Sequence, residues 1–498
     1  MPPDLSVPAG RTAALRRAAA LLLLPAVAAC GTADPPPRAL PVDLLLEDVR
    51  VVDVEDEEVR PGRTVAVVDG RILDLWPADS VPAEVEPARR VAGEGRWLLP
   101  GLWDAHVHVR GGEELRDENR ALLRLYPAFG VTTVRDAGGD LTAALLAWRD
   151  SIARGELLGP RILTSGPKLD GPEPGWPGSL ALAHPSEVPA ALDSLEALGA
   201  DFVKLYDGSM SPEVFLAAVR EAEARGLAVT GHMPLGVDFL EAVEAGLDGT
   251  EHLYYVFKGT AANREEVTRR VRAGELGFWD AFRAMLDARD PEREAEVFAR
   301  MAERGTAVVP TLHIGDVLAT VERDDHSTDD LLRIIPEGVR ETYAGRVESA
   351  RRSPAEARES RRRLEAGMDA LVAPMHEAGV VVLAGSDAGP YNSYTYPGAA
   401  LHAELEALVE VGLTPAEALR AATVAPARFM GLGAELGRVA PGYRADLLLL
   451  DENPLEDIRA TRSRSLVILR GETVLDRAAL DALLSPDGMG GGREGAGG

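Results

Sequence analysis

The chain has 498 residues, 46% of them hydrophobic, one cysteine and a formal net charge of −27 at pH 7. That length suits one large domain with an accessory domain. The lone cysteine excludes an internal disulfide and a cysteine metal site, and the acidic balance argues against nucleic acid as a partner, because phosphates are repelled.

The N-terminus reads as an export signal. Arg11, Arg16 and Arg17 precede an apolar run over 18–29 that ends at Cys30, and charge followed by a short apolar stretch and small residues is the pattern of a cleaved leader. Val27-Ala28-Ala29-Cys30 resembles the lipobox of bacterial lipoproteins, in which the leader is cut before a cysteine that then carries lipid. The expectation is a signal peptide over 1–29, lipid attachment at Cys30 and a stiff, proline-containing tether over 30–41. A cell-envelope location follows, with membrane contact only through the lipid. Beyond this segment no apolar run is long enough to span a bilayer.

From 42 to 99 the texture is strand-like. Val49-Arg50-Val51-Val52-Asp53-Val54 and Thr64-Val65-Ala66-Val67-Val68 are rich in β-branched residues, and Asp69-Gly70 is a hairpin turn signal. Residues 433–480 return to this texture, with a hairpin over 467–474. The two segments are expected to build one small composite β-sandwich from both chain ends. The glycine-rich tail, 486–498, is expected to be disordered.

Between them, 100–432 alternates short apolar runs with helical stretches, the pattern of a parallel sheet. Strands are expected at 101–108, 131–135, 162–165, 202–206, 228–232, 249–252, 307–312 and 380–387. Eight strands close a distorted (β/α)8 barrel, an α/β fold of the TIM type. Helices are expected over 212–225, capped by Ser211, over 397–412, and over 414–431, where Thr414 and Glu417 make a capping box. Two long connections, 254–304 and 313–377, follow the sixth and seventh strands. They read as lids over the barrel mouth or as solvated surface helices.

The chemistry gathers at the strand ends. His106 and His108, one residue apart, share a strand face. Lys204 ends the fourth strand, His232 the fifth, His252 the sixth and Asp387 the eighth. In a barrel these ends converge on one mouth, and four histidines with an aspartate suit zinc or a similar divalent metal. Tyr206, on the face of Lys204, is a candidate for substrate contact or core packing. Arg135 is a candidate for a substrate carboxylate or a structural ion pair, and His313 for substrate contact or surface placement. His184, His326, His376 and His402 have no geometric reason to be ligands.

The ordered stretches LLPGLWDAHVHV, GVTTVRDAGG, DFVKLYD, VTGHMP, GTEHL and LAGSDAGP, followed by LTPAEALRAATVAPARFMGL and GRVAPGYRADLLLLDENPLEDI, resemble the amidohydrolase superfamily. The similarity is greatest to its imidazolonepropionase-like and prolidase-like branch, with Ser386 where many relatives have threonine. The resemblance implies two metal ions, one on His106, His108 and Asp387 and one on His232 and His252. It implies a carboxylated Lys204 bridging them, since a plain ammonium has no lone pair to offer; with a plain amine, one ion remains. It further implies a metal-activated hydroxide that attacks the substrate, and Asp387 as the catalytic proton carrier. The expected activity is hydrolysis of an amide-type C–N bond in a dipeptide or cyclic amide. Lactone or ester hydrolysis on the same site, and a non-catalytic ligand-binding lipoprotein, are the alternatives. The partner is a small molecule, and oligomer formation is left open.

Overall fold

The strands at the two ends of the chain do pair with one another. The computed structural model describes residues 39–485; the expected leader, Cys30, most of the expected tether and the glycine-rich tail lie outside them. β1 (Leu40–Asp53), β2 (Glu58–Val68), β3 (Arg71–Pro77) and β4 (Val85–Pro100) come from the N-terminal segment. The expected turn joins β2 to β3, with Asp69 and Gly70 both at positive φ, 49° and 71°, as a two-residue hairpin requires. The C-terminal β14 (Leu447–Leu450), β15 (Arg464–Leu469) and β16 (Thr473–Asp476) extend the same sheet, in the order β16-β15-β14-β4-β1-β2-β3. The expected sandwich is therefore one continuous hydrogen-bonded sheet rather than two separate ones.

The sheet is joined to the barrel by strand alternation. Successive side chains of a strand point to opposite faces. Leu447 and Leu449 accordingly pack with Leu44, Val65 and Ile468 in the sheet's own core, whereas Leu448 and Leu450 enter the main core beside Leu99 and Val131. A run of four leucines is thus buried on both faces. Each such side chain contributes roughly 1.5–3 kcal/mol.

Seven of the eight expected barrel strands form as strands, and the eighth is an irregular segment in its expected place. β5 (Leu102–Val107), β6 (Val131–Asp136) and β7 (Arg161–Thr164) form one parallel set. Two short strands, β8 (Leu169–Asp170) and β9 (Leu180–Ala181), follow. Then β10 (Val203–Leu205), β11 (Val229–Gly231), β12 (Gly249–Glu251) and β13 (Ala307–Val309) run parallel in order. The eighth position, 380–388, lacks a regular ladder yet closes the ring. Leu383 N donates to Val308 O on one side, at 2.9 Å, and His108 N to Ala388 O on the other, at 2.9 Å.

Boundaries differ in two places. The helix expected over 414–431 is broken into Pro415–Ala421 and Val424–Phe429, although its capping box is present as read. β13 ends at Val309, and a helix, Leu312–Thr320, starts at once. The long connections fold into helices, among them Tyr254–Thr260, Phe278–Met285, Glu337–Arg352 and Ala355–Asp369. Among the described residues no helix is long and apolar enough to cross a membrane.

Candidate metal centre and cleft

The strand-end residues meet at one mouth of the barrel. His106 and His108 leave the same face of β5, and their Nε2 atoms lie 3.4 and 3.2 Å from one oxygen of Asp387. His252 Nε2 is 3.9 Å from the other oxygen. The rings of His232 and His252 are 5.0 Å apart, and those of His106 and His252 are 5.2 Å apart. His106, His108 and Asp387 offer ligand atoms within 4.8 Å of one another. His252 and Asp387 both sit at positive φ, 61° and 55°. For residues other than glycine this is a strained conformation, held only where the surroundings enforce it.

What distinguishes this cluster from four chance histidines is the other ring nitrogen. Each Nδ1 is fastened to an oxygen: His106 to Glu251 at 2.6 Å, His108 to the Gly138 carbonyl at 3.0 Å, His232 to Asp207 at 3.2 Å and His252 to the Thr311 hydroxyl at 2.6 Å. A proton on Nδ1 leaves the Nε2 lone pair free, which is how a metal-binding imidazole is prepared. His106 Nε2 and Lys204 Nζ are buried and make no hydrogen bond. Such orphans are rare in a native core. Four imidazole nitrogens and a carboxylate fit a divalent metal, zinc included.

Beneath the histidines lies a charge network that the sequence reading did not find. Glu251 is fully buried and takes His106 Nδ1, the Arg135 guanidinium and the Thr230 hydroxyl, the last at 2.8 Å. Lys204 Nζ is 3.6 Å from it. Burial alone would raise the pKa of this carboxyl, but the charges of Arg135, Lys204 and His106 hold it well below the usual range. Burial pushes the Lys204 ammonium down to about 8. Asp207 works similarly at the rim, accepting from Tyr255 at 2.8 Å while it orients His232. Asp104 supports the eighth segment, accepting from Ser386 N at 2.9 Å and from the Ser386 hydroxyl at 2.5 Å.

Two of the candidate substrate contacts are elsewhere. Arg135 is 1% exposed and is committed to Glu251 below the site, the structural alternative. His313 does not line the cleft. The helix begins at Leu312, so His313 lies in its first turn, with its backbone N–H donating to Glu404 at 2.8 Å. Burial, with the charges of Arg462 and His326, holds the imidazole down to about 4. Tyr206 does line the cleft. Its ring lies 4.5 Å from that of His232, and its hydroxyl accepts from Trp176 Nε1 at 2.9 Å.

The cleft holds about 420 Å³ of water-accessible space. Tyr254, Phe278 and Trp279 from the first long connection and Leu318, Arg346 and Arg361 from the second form its outer wall, so these helices do cover the site. A second cavity of about 260 Å³ shares Trp279, Leu318, Arg346 and Arg361 with it and continues among Phe282, Val321, Ala357 and Leu364.

A closed α/β barrel with four oriented histidines and an aspartate at its strand ends is the architecture of a metal-dependent hydrolase. The amidohydrolase family profile matches residues 97–474, and the chain belongs to that family. It is 28% identical over 429 residues to an uncharacterized protein of Mycobacterium bovis, covering 82% of this chain and 94% of the relative. It is 24% identical over 416 residues to the ochratoxinase of Aspergillus niger, covering 73% and 72%. Among solved structures, bottromycin amidohydrolase superposes with a TM-score of 0.68 at 25% identity, covering 90% of each chain.

Proposed function

We propose that this enzyme cleaves an amide C–N bond of a small molecule, a dipeptide or cyclic amide, in the bacterial cell envelope. Zinc ions would be held by His106, His108, His232, His252 and Asp387, with Lys204 carboxylated between two of them. The observation that carries the reading is the common orientation of the four imidazoles, each tethered at Nδ1, with the Nε2 atoms of His106, His108 and His252 gathered around Asp387. A bound divalent metal supplies Lewis acidity, polarising the amide carbonyl and bringing the pKa of a water toward neutrality.

The chain's own residues do the rest. Asp387, within reach of three histidines, accepts a proton from the attacking water and returns it to the leaving nitrogen as the C–N bond breaks. Asn392 donates to Asp387 Oδ1 at 2.8 Å and aims the carboxylate. The helices of the two long connections wall the cleft with Tyr254, Phe278, Trp279 and Leu318. The lipobox-like Val27-Ala28-Ala29-Cys30 supports attachment through Cys30. The direct test is chelation. Amide turnover is expected to vanish with the metal and return with zinc, and full activity in metal-free protein would overturn the reading.

A further inference from the structure

The helix Glu337–Arg352 does more than wall the cleft. Its N-terminus is pinned by Glu118 of the helix Arg116–Leu122, whose carboxylate accepts from Gly338 N at 3.2 Å and Val339 N at 2.8 Å. A helix dipole favours an anion at that end. One turn further on, the helix grips the segment that follows Asp387. Thr342 gives its hydroxyl proton to the Val339 carbonyl at 2.6 Å, and its Oγ1 accepts from Tyr391 N at 2.8 Å. The Tyr343 carbonyl accepts from the Ser393 hydroxyl at 2.7 Å. Arg346 donates from Nε to the Tyr391 carbonyl at 2.7 Å and from Nη2 to Asn392 Oδ1 at 2.9 Å. Thr342 and Arg346 are four residues apart and so meet the same neighbour.

That segment needs holding. It has no regular secondary structure, and Asp387, Tyr391 and Tyr394 all take positive φ, at 55°, 71° and 61°. Residues other than glycine keep such conformations only where the surroundings impose them. At its centre is Asn392, 1% exposed. Its Nδ2 donates to the backbone carbonyl of Asp387 and to Asp387 Oδ1, the latter at 2.8 Å. A carboxamide can turn over and exchange its oxygen and nitrogen ends. Only one orientation suits both neighbours here, because Arg346 has donors and no acceptor, whereas the ionised carboxylate and the carbonyl of Asp387 have acceptors and no donor. The oxygen of Asn392 therefore faces the guanidinium, and its NH2 faces Asp387. Without Arg346 a buried amide oxygen is left unsatisfied, and the amide finds another donor only by turning away from Asp387.

The two oxygens of Asp387 are not equivalent. Oδ1 lies 3.4 and 3.2 Å from Nε2 of His106 and His108, whereas Oδ2 lies 3.9 Å from Nε2 of His252. We propose that Arg346 is a positioning residue of the metal centre: acting through Asn392, it keeps Asp387 Oδ1 with His106 and His108 and leaves Oδ2 beside His252. This rests on the reading of the cluster as a metal site and deepens it. Arg346 belongs to the second long connection rather than to a barrel strand. The helix that walls the cleft is thus also part of the support of a metal ligand, and the ligand set is complete only when that helix is seated.

The test uses the intact protein with cobalt(II) as the probe and no substrate present, so that any contact between Arg346 and a substrate does not enter. Competition with a chelator reads cobalt affinity, the visible absorption bands read its coordination, and the melting temperature reads folding. Arg346→Met is expected to bind cobalt about tenfold more weakly than wild type or worse, as loss of the outer support of a ligating carboxylate requires, and to shift the visible bands. Asn392→Ala is expected to do the same, and in that background Arg346→Met is expected to cost nothing further in cobalt affinity. Thr342→Val removes the other side-chain grip on the segment without touching Asn392. It is expected to lower the melting temperature and leave cobalt affinity and bands unchanged. Unchanged cobalt binding in Arg346→Met or Asn392→Ala, an equal change in Thr342→Val, or additive losses in the double variant would each overturn the proposal and leave the hydrolase reading standing. A wild-type chain that takes up no cobalt would overturn both.

Discussion

Replacing Glu251 with glutamine tests the network under the metal centre. The side chain is nearly isosteric, so the packing of β12 is kept and only the charge is removed. In the wild type this carboxylate faces Arg135 and Lys204 and accepts from Thr230, with His106 Nδ1 at 2.6 Å. Arg135 and Lys204 are both almost completely buried. In Glu251→Gln they are left without a counter-charge, which costs about 3–5 kcal/mol. With a urea dependence of about 3 kcal/mol per M, the unfolding midpoint falls by roughly 1 M or somewhat more. His106 also loses its charged acceptor, because the amide offers one oxygen where the carboxylate offered two, one to His106 and one to Arg135 and Thr230, so metal affinity should drop by about 10–100-fold. Urea unfolding followed by circular dichroism and a zinc competition titration read the two effects separately. The double variant Glu251→Gln/Arg135→Met should recover part of the loss, because it strands one fewer charge. A loss below about 1 kcal/mol in the single variant, or strictly additive effects in the double, would refute the argument.

Other outcomes follow from single contacts. Asp387→Asn is expected to abolish turnover while the circular dichroism spectrum is retained; activity in that variant would remove Asp387 from its proposed role. Gly385→Ala places a Cβ 2.6 Å from Val309 Cγ1 and 2.8 Å from His106 Cβ, pushing the eighth segment off β5, so both melting temperature and metal content should fall together. Glu404 gives a pH signature. Burial pushes its carboxyl from 4.5 up to about 8, against hydrogen bonds from the backbone of His313 and Leu312. The folded state therefore binds a proton that the unfolded state releases. The associated stability is present below about pH 4.5 and is lost as pH rises toward 8. Denaturant titrations at pH 5 and pH 8 should show wild type losing a few kcal/mol relative to Glu404→Gln, and a pH-independent difference would contradict the assignment.

Much of this architecture is legible in the sequence because local pattern and global fold agree. Eight apolar runs at regular spacing give the barrel, and polar residues at their ends give the mouth, since strand ends converge whatever the helices do. The pairing of β4 with β14 was within reach for the same reason: both are apolar runs with no partner nearby in the chain. Glu251 was missed although it stands next to His252 in GTEHL. Its significance lies in being an acid inside a buried strand, which demands a cation, and that cation, Arg135, is 116 residues away. Arg346 and Asn392 were invisible for a related reason. One is among many arginines of a charge-rich helix and the other lies in a loop, where sequence gives no period, and only the folded chain brings them together beside Asp387. His313 was misjudged by a matter of residues. A strand carried to Leu312 puts the next side chain at the mouth, whereas a helix starting there turns it toward Arg462.

The metal content of the purified wild-type protein tests the central claim most directly. Elemental analysis after reconstitution with zinc should find two divalent ions per chain, and His106→Asn/His108→Asn should lose at least one of them without unfolding. A wild-type chain that takes up no metal would contradict the account, which reads four imidazoles tethered at Nδ1, three of them with Nε2 turned to Asp387, as a prepared ligand set.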